Sequence, residues 1–310
     1  MKILVTGGAG FIGSHIVDAL IEQGHRVVVV DNLSTGSLEN MNSKATLYKM
    51  SVRDEELANV FDRERPDIVS HQAAQTVISK SVADPVFDAQ ENILGSLNFI
   101  DNCARFGVKK IVYASSVAIY GEPQYLPVDE SHPINPLSPY GISKHTVEHY
   151  LHYYYLQYGL TYVVLRYPNV YGSRQRPDGE AGVVAIFASQ MLKGEQPTIF
   201  GPGNKTRDYA HVLDVVAANL LAMERGHNTV YNIGTGVEIS DQKMFDTLAE
   251  MLGYSGNPIY VPARSGEIYR IYLDATKAQK ELEWEPRLSF RDGLLQAVSY
   301  YQDLFGQISK

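Results

Sequence analysis

Cysteine is almost missing from this 310-residue chain: Cys103 stands alone, which excludes an intramolecular disulfide and any zinc site built on several thiolates. No apolar run approaches the ~18 residues that a membrane span requires. Met1 and Lys2 run directly into an apolar strand, so no leader segment is expected and a cytoplasmic location follows. No lysine-arginine tract occurs, and 27 Lys and Arg against 35 Asp and Glu give a formal charge of −8. That balance argues against nucleic-acid or membrane-surface binding, although a few clustered arginines can still make a local anion site. The nine histidines show no paired ligand spacing beyond His145/His149 and His149/His152, both on a tyrosine-rich helical stretch, so no metal is expected. Internal repeats, low-complexity tracts and long linkers are also missing. With 45% hydrophobic and 20% charged residues, the composition is that of an ordinary globular chain able to fold without staples.

Two features that are present carry chemistry. The first is Thr6-Gly-Gly-Ala-Gly-Phe-Ile-Gly13, which follows an apolar strand and opens a helix. Gly7, Gly10 and Gly13 in that context permit a tight turn and close approach of a pyrophosphate to a helix N-terminus. Asp31 ends the next strand, Val27-Val-Val-Val-Asp31, where a carboxylate accepts from ribose hydroxyls and repels a 2′-phosphate; NAD is therefore favoured over NADP. The second is Tyr140 and Lys144 in Ser138-Pro-Tyr-Gly-Ile-Ser-Lys144. Four residues apart they share a helix face, so the ammonium is placed to stabilise a phenolate and turn a poor base into a usable one. Tyr-x-x-x-Lys is common by accident in a chain with 21 tyrosines, and the context strengthens it. Upstream, Ile111-Val-Tyr-Ala-Ser-Ser116 reads as a buried strand ending in Ser115 and Ser116, where a doubly wound sheet presents ligand groups.

The first half alternates apolar strands, expected near 2–6, 26–31, 46–50, 67–71, 109–114 and 161–166, with helical patterns near 11–24, 54–64, 85–107 and 138–158. This predicts an α/β fold: a doubly wound parallel sheet of Rossmann type. Beyond Tyr167, prolines and glycines punctuate shorter elements. The expected division is a dinucleotide-binding domain over 1–167 and a smaller substrate lobe over 168–310, with chain crossings between them. On the last helix Val147, Tyr150, Leu151, Tyr154 and Tyr158 are expected to face the sheet, leaving Tyr153 and Tyr155 for an interface.

The strings TGGAGFIGSH, DNLSTG, HQAA, SSVAIYG, SPYGISK, LRYPNVYG, IFGPGNKTRDYAHVLDV and PARSGE together span nearly the whole chain. They resemble the extended short-chain dehydrogenase/reductase family, and within it the nucleotide-sugar 4-epimerases. The resemblance implies that Phe11 and Ile12 meet the NAD pyrophosphate and that Asp31, Asn32, Ser34, Thr35 and Gly36 hold the adenosine ribose. Ser51 and Val52 would lie at the adenine, and Ala73, Ala74, Gln75, Asn92 and Ser115 would follow the cofactor toward nicotinamide, with Tyr167 and Pro168 at its far end. Ser51 stands where family members commonly carry an aspartate, and Thr76 where some carry a lysine, so cofactor contacts differ at both places.

For the reaction, the resemblance implies Tyr140 as base on the sugar 4-hydroxyl, Ser116 as hydrogen-bonding partner of the same oxygen and Lys144 as the tuning cation. UDP-glucose and UDP-galactose would interconvert through a 4-keto sugar, with a homodimer formed through the helices near 85–107 and 138–158. Arg207 and Arg264 match diphosphate arginines, since a guanidinium suits phosphate. Asn169 would donate to the same diphosphate and Val183 would offer its backbone. Thr198 and Phe200 would meet uracil, Tyr209 would join them, Glu267 would accept from ribose, and Ile271 would set how bulky a sugar enters. Relatives that dehydrate or decarboxylate place acids after the matching serine; Val117 and Ala118 stand there here. A UDP-N-acetylglucosamine 4-epimerase, a dehydratase or decarboxylase, and a non-catalytic NAD sensor remain alternatives.

Overall fold

The computed structural model describes residues 1–177, 182–264 and 267–308. Twelve strands are formed among them: Lys2–Thr6 (β1), Arg26–Asp31 (β2), Thr46–Lys49 (β3), Ile68–His71 (β4), Lys110–Ser116 (β5), Thr161–Tyr167 (β6), Asn169–Tyr171 (β7), Thr198–Phe200 (β8), Thr206–His211 (β9), Thr229–Asn232 (β10), Glu238–Ser240 (β11) and Ile259–Val261 (β12). Seven make one parallel sheet in the order β10-β6-β5-β4-β1-β2-β3. The strand order reverses between β1 and β4, the switch point where doubly wound sheets open a crevice at their carboxyl ends. Six of the seven strands fall where hydrophobic runs placed them. The seventh, β10, arrives from beyond residue 168, so the chain crosses back into the main sheet.

Alternation within the strands explains why they are apolar throughout. Ile3, Val5, Val27 and Val29 enter one buried cluster, while Leu4, Val28, Val30 and Val69 enter another on the opposite face. Helices cover both faces, so neither set meets water. Phe11–Glu22 (α1) packs on the first face with Val212–Glu224 (α8). Leu57–Glu64 (α2), Gly95–Arg105 (α5) and Pro139–Tyr158 (α6) lie with the second.

Between them the short helices Ile78–Ala83 (α3) and Pro85–Ala89 (α4) lead into a π-helical turn over Gln90–Leu94 that continues as α5. Helix α6 starts where Ser138 caps it, its side chain accepting from the Gly141 amide at 3.2 Å, with Pro139 next; it stops at Gly159, whose φ of 70° turns the chain. The remaining helices, Val183–Leu192 (α7), Asp241–Leu252 (α9), Thr276–Leu282 (α10) and Phe290–Ile308 (α11), belong to the second half. There α7, α9 and α11 pack around Phe187, Met244, Leu248, Leu294 and Tyr301 beside a small β11-β9-β7 sheet.

One expected face is corrected. Val147 and Leu151 are buried against the sheet and Tyr154 partly so, but Tyr150 and Tyr158 point outward, 37% and 61% exposed. The buried stripe of α6 runs through Ser143, Lys144, Val147, Glu148 and Leu151, which leaves Tyr150 on the side turned away.

Candidate active site

The loops after β1 and β4 touch across the switch point. Gly7 sits at φ 66°, and a Cβ there would lie 2.9 Å from the Ala73 amide nitrogen; a Cβ on Gly13 would lie only 2.1 Å from the Gly7 carbonyl oxygen. Glycine is therefore demanded by both conformation and space. Gly10 caps α1 without a side-chain hydrogen bond, so the first amides of the helix, those of Phe11 and Ile12 included, point toward the crevice as ready anion donors. Asp31 is nearly buried at the end of β2; its Oδ2 accepts from the Ala9 amide at 2.9 Å and its Oδ1 from Leu33 at 2.8 Å. Each oxygen keeps a lone pair for a ribose hydroxyl. Asn32 accepts from the Ser34 amide, Thr35 receives Arg176 on its carbonyl, and Gly36 sits where a Cβ would meet Ala9 at 3.0 Å. This glycine cradle, free amide set and acceptor carboxylate fit a dinucleotide such as NAD.

At the adenine end, Val52 is buried and the Ser51 amide donates to Asp54 Oδ2 at 2.8 Å. An aspartate three residues after Ser51 thus stands at this turn. After β4, the Ala73 amide donates to Thr6 Oγ1 at 3.0 Å, Ala74 follows in the loop, and the Gln75 amide donates to Asn92 Oδ1 at 2.8 Å. Asn92 lies within the π-helical turn, a distortion that recurs at functional sites, and its Nδ2 returns to the Gln75 carbonyl. At the other edge, the Tyr167 hydroxyl accepts from Asn219 Nδ2 at 2.7 Å, and Pro168 links β6 to β7.

Ser116 ends β5 in register with Tyr167, and its side chain lies beside the Tyr140 hydroxyl at the start of α6. Lys144 is buried on α6, its Nζ donating to the Ala114 carbonyl at 2.8 Å and lying 5.0 Å from the Tyr113 ring centroid and 5.9 Å from that of Tyr140. The expected lowering of the phenol is not met in the protein alone. Loss of solvent around its hydroxyl pushes Tyr140 up to about 12, with the neighbouring Ser116 side chain opposing and the Asp88 carboxylate adding to the rise. Burial equally lowers Lys144 to about 8, against the pull of Asp88 and Glu148. Desolvation outweighs the mutual stabilisation that a shared helix face suggests.

Beside Tyr140 and Lys144 runs a buried network that residue patterns did not indicate. Ser115 donates to Glu148 Oε1 at 2.6 Å, and Arg166 donates to both Glu148 oxygens at 3.1 and 2.6 Å and to the Tyr120 hydroxyl at 2.8 Å. Burial alone would raise Glu148, yet these bonds and one from His145 bring it down to about 2. Glu148 and Lys144 are four residues apart, and that spacing was the available signal.

The second half brings the anion-binding candidates together. Asn169 pairs with Tyr209 across β7 and β9, and Arg207 precedes Tyr209 on the same strand. The Arg264 guanidinium sits 3.8 Å over the Phe200 ring and 3.9 Å from Glu267, which also receives Lys205. Thr198 opens the strand that Phe200 ends, and Val183 opens α7. Lys205, largely buried between Glu267 and Asp241, was missed because an isolated lysine in a glycine-rich stretch carries no pattern. Ile271 is 1% exposed and packs with Val117, Ile119, Tyr120 and Leu273, a cluster that begins one residue after Ser116.

Residues 3–234 match the NAD dependent epimerase/dehydratase family. A UDP-glucose 4-epimerase of Mycolicibacterium smegmatis is 40% identical over 310 residues, covering 98% of this chain and 99% of that protein. The crystal structure of UDP-glucose 4-epimerase with UDP-glucose from Thermotoga maritima gives a TM-score of 0.97 at 50% identity, covering 98% of this chain and 100% of that one. The Thermus thermophilus UDP-glucose 4-epimerase in complex with NAD gives 0.93 at 43% identity, covering 97% and 99%. By that match across three quarters of its length and by full-length likeness to such relatives, this chain belongs to the NAD dependent epimerase/dehydratase family.

Proposed function

We propose that this protein is an NAD-dependent 4-epimerase that interconverts UDP-glucose and UDP-galactose through a transient 4-keto sugar. The observation that carries the reading is the convergence of Ser116 at the end of β5 with Tyr140 and the buried Lys144 of α6 at the carboxyl edge of the sheet. Full-length likeness to UDP-glucose 4-epimerases supports the substrate. Tyr140 takes the proton of the 4-hydroxyl, Ser116 holds the same oxygen, and Lys144 keeps a positive charge in the dry pocket. Bound NAD supplies the hydride acceptor, the later hydride donor and a further positive charge. The flat ketone then presents its other face, and Tyr140 returns the proton to the inverted centre. No net redox change occurs.

Arg207, Arg264 and Asn169 hold the diphosphate, with Val183 adding its backbone, Thr198 and Phe200 facing uracil, Tyr209 beside them and Glu267 on ribose. Residues 1–167 serve mainly the cofactor and 168–310 mainly the sugar nucleotide, with β10 returning to the first unit. Ile271 acts on sugar size through the Val117–Ile119 turn against which it packs, so added bulk there displaces that turn before reaching open space. Among the described residues no helix is long and apolar enough to cross a membrane, and a cytoplasmic homodimer completes the reading.

The deciding experiment offers purified protein a panel of UDP-sugars with NAD or NADP. Interconversion of UDP-glucose and UDP-galactose with NAD is expected, with the N-acetylated pair slower. Release of a dehydrated or decarboxylated product, or activity confined to NADP, refutes the reading.

A further inference from the structure

Helix α6 begins almost on the residue that carries the chemistry. It opens with Pro139, which has no amide hydrogen, so Tyr140 is the first residue whose N–H needs a partner outside the helical ladder. The two amides that follow are met locally, Gly141 by Ser138 Oγ at 3.2 Å and Ile142 by the Ser138 carbonyl at 3.0 Å. The Tyr140 amide is met from another element: it donates to Ser81 Oγ of α3 at 3.2 Å.

Among the six residues of α3, Ser81 alone is buried, at 0% exposure, while Ile78, Ser79, Lys80, Val82 and Ala83 are exposed. A helix with one inward side chain ordinarily makes it apolar; here it is a hydroxyl. Ser81 Oγ gives its own hydrogen to the Ile78 carbonyl at 2.7 Å, which leaves its lone pairs for the Tyr140 amide. Upstream, Gln75 clasps the start of α3: its Oε1 accepts from the Val77 amide at 2.6 Å and its Nε2 donates to the Val77 carbonyl at 3.1 Å. Helix α3 is thus tied at one end to the loop after β4 and, through Ser81, to the main chain of Tyr140.

We propose that Ser81 is a positioning residue for the base, its hydroxyl oxygen holding the main chain of Tyr140 in register with the loop after β4. The proposal rests on the functional reading of Tyr140 given above. In that reading Ser81 meets neither NAD nor the sugar nucleotide, so its loss displaces the phenol without removing a group that binds either. The Tyr140 carbonyl keeps its own bond from Ser143 Oγ at 3.0 Å, so losing Ser81 frees one side of the residue and leaves the turn wound.

The test reads the contact and its consequence separately. In protein labelled with ¹⁵N-tyrosine, the Tyr140 amide signal is assigned by its loss in Tyr140→Phe. In the wild type that amide is expected to exchange slowly with deuterium despite its place in a first turn, and in Ser81→Ala about tenfold faster or more, with the other tyrosine amides unchanged. In the NAD-loaded enzyme, kcat for UDP-galactose is expected to fall about tenfold in Ser81→Ala, while KM and NAD affinity hold within about twofold. Ser81→Thr, which keeps the hydroxyl oxygen, restores both slow exchange and kcat. A freely exchanging wild-type amide, unchanged exchange in Ser81→Ala, faster exchange with unchanged kcat, or a folded Ser81→Thr that behaves like Ser81→Ala overturns the proposal. If the wild-type protein leaves every UDP-sugar unchanged, the epimerase reading fails, and the exchange result alone decides whether Ser81 holds Tyr140. Should Ser81→Ala not fold, Ser81→Cys, whose sulfur accepts weakly, takes its place under the same criteria.

Discussion

At the scale of single residues, Tyr140 sits against the trend its chemistry requires. Beside Ser116 it holds its proton up to about 12, so the proposed role as base requires bound ligands to bring that value down. Tyr140→Phe keeps the ring and its packing and removes one oxygen. Turnover of UDP-galactose is expected to drop by about 10²-fold or more with NAD binding and circular dichroism unchanged, as measured by a coupled assay and fluorescence titration. Near-normal turnover in the folded variant rejects Tyr140 as the base. Lys144, lowered to about 8 by burial, predicts the other limb. Activity is expected to decline above roughly pH 8 as the ammonium is lost, read from the pH–rate profile for UDP-galactose; a profile that stays flat well above that pH removes Lys144 from the limb.

Among elements, the turn between β1 and α1 is the least forgiving. A Cβ at Gly13 would overlap the Gly7 carbonyl oxygen at 2.1 Å and approach its carbon at 2.8 Å, both backbone atoms that cannot swing away. Gly13→Ala is expected to weaken NAD by tenfold or more in a fluorescence titration; unchanged affinity shows that the turn reshapes without cost to the cradle. This turn was legible from spacing alone because its glycines answer a local steric demand. So were the first six strands, whose buried faces force continuous apolar runs. Strand β10 was not: it lies in the second half, outside the regular alternation of strands and helices, and only pairing with the distant β6 makes Thr229–Asn232 a strand. The substrate lobe was read by motif for the same reason, its strands being three to six residues long. Asp88, Glu148 and Lys205 share a different obscurity. A charged residue on a helix or loop is ordinarily solvated, and only three-dimensional burial shows that these are not.

The molecule as a whole carries two consequences, one for acid and one for assembly. His71 is wholly buried between Thr6 Oγ1 at 2.7 Å and Ser96 Oγ at 3.0 Å, and burial, aided by Lys144, lowers it to about 3. The unfolded chain binds that proton below about 6.5 and the native one does not, so stability is full above 6.5 and falls as pH drops toward 3. His71→Asn is expected to lower the melting temperature at pH 7 but to flatten its decline between pH 6.5 and 4.5; an unchanged slope assigns the acid sensitivity elsewhere. Assembly follows from the outer side of α6. Ile142, Tyr153 and Leu156 are exposed there, and Val82, Val86 and Leu94 are exposed on the adjoining segment from α3 through the π-helical turn. These exposed apolar side chains lie on neighbouring helices, and in the proposed dimer a second copy of the same face covers them by twofold symmetry. The proposed homodimer therefore sediments at twice the chain mass. Tyr153→Glu with Leu156→Glu places like charges at a self-facing surface and is expected to yield a monomer that still binds NAD, because neither side chain enters the cofactor crevice. A wild-type protein that sediments as a monomer, or a double variant that remains dimeric, removes this face from the assembly.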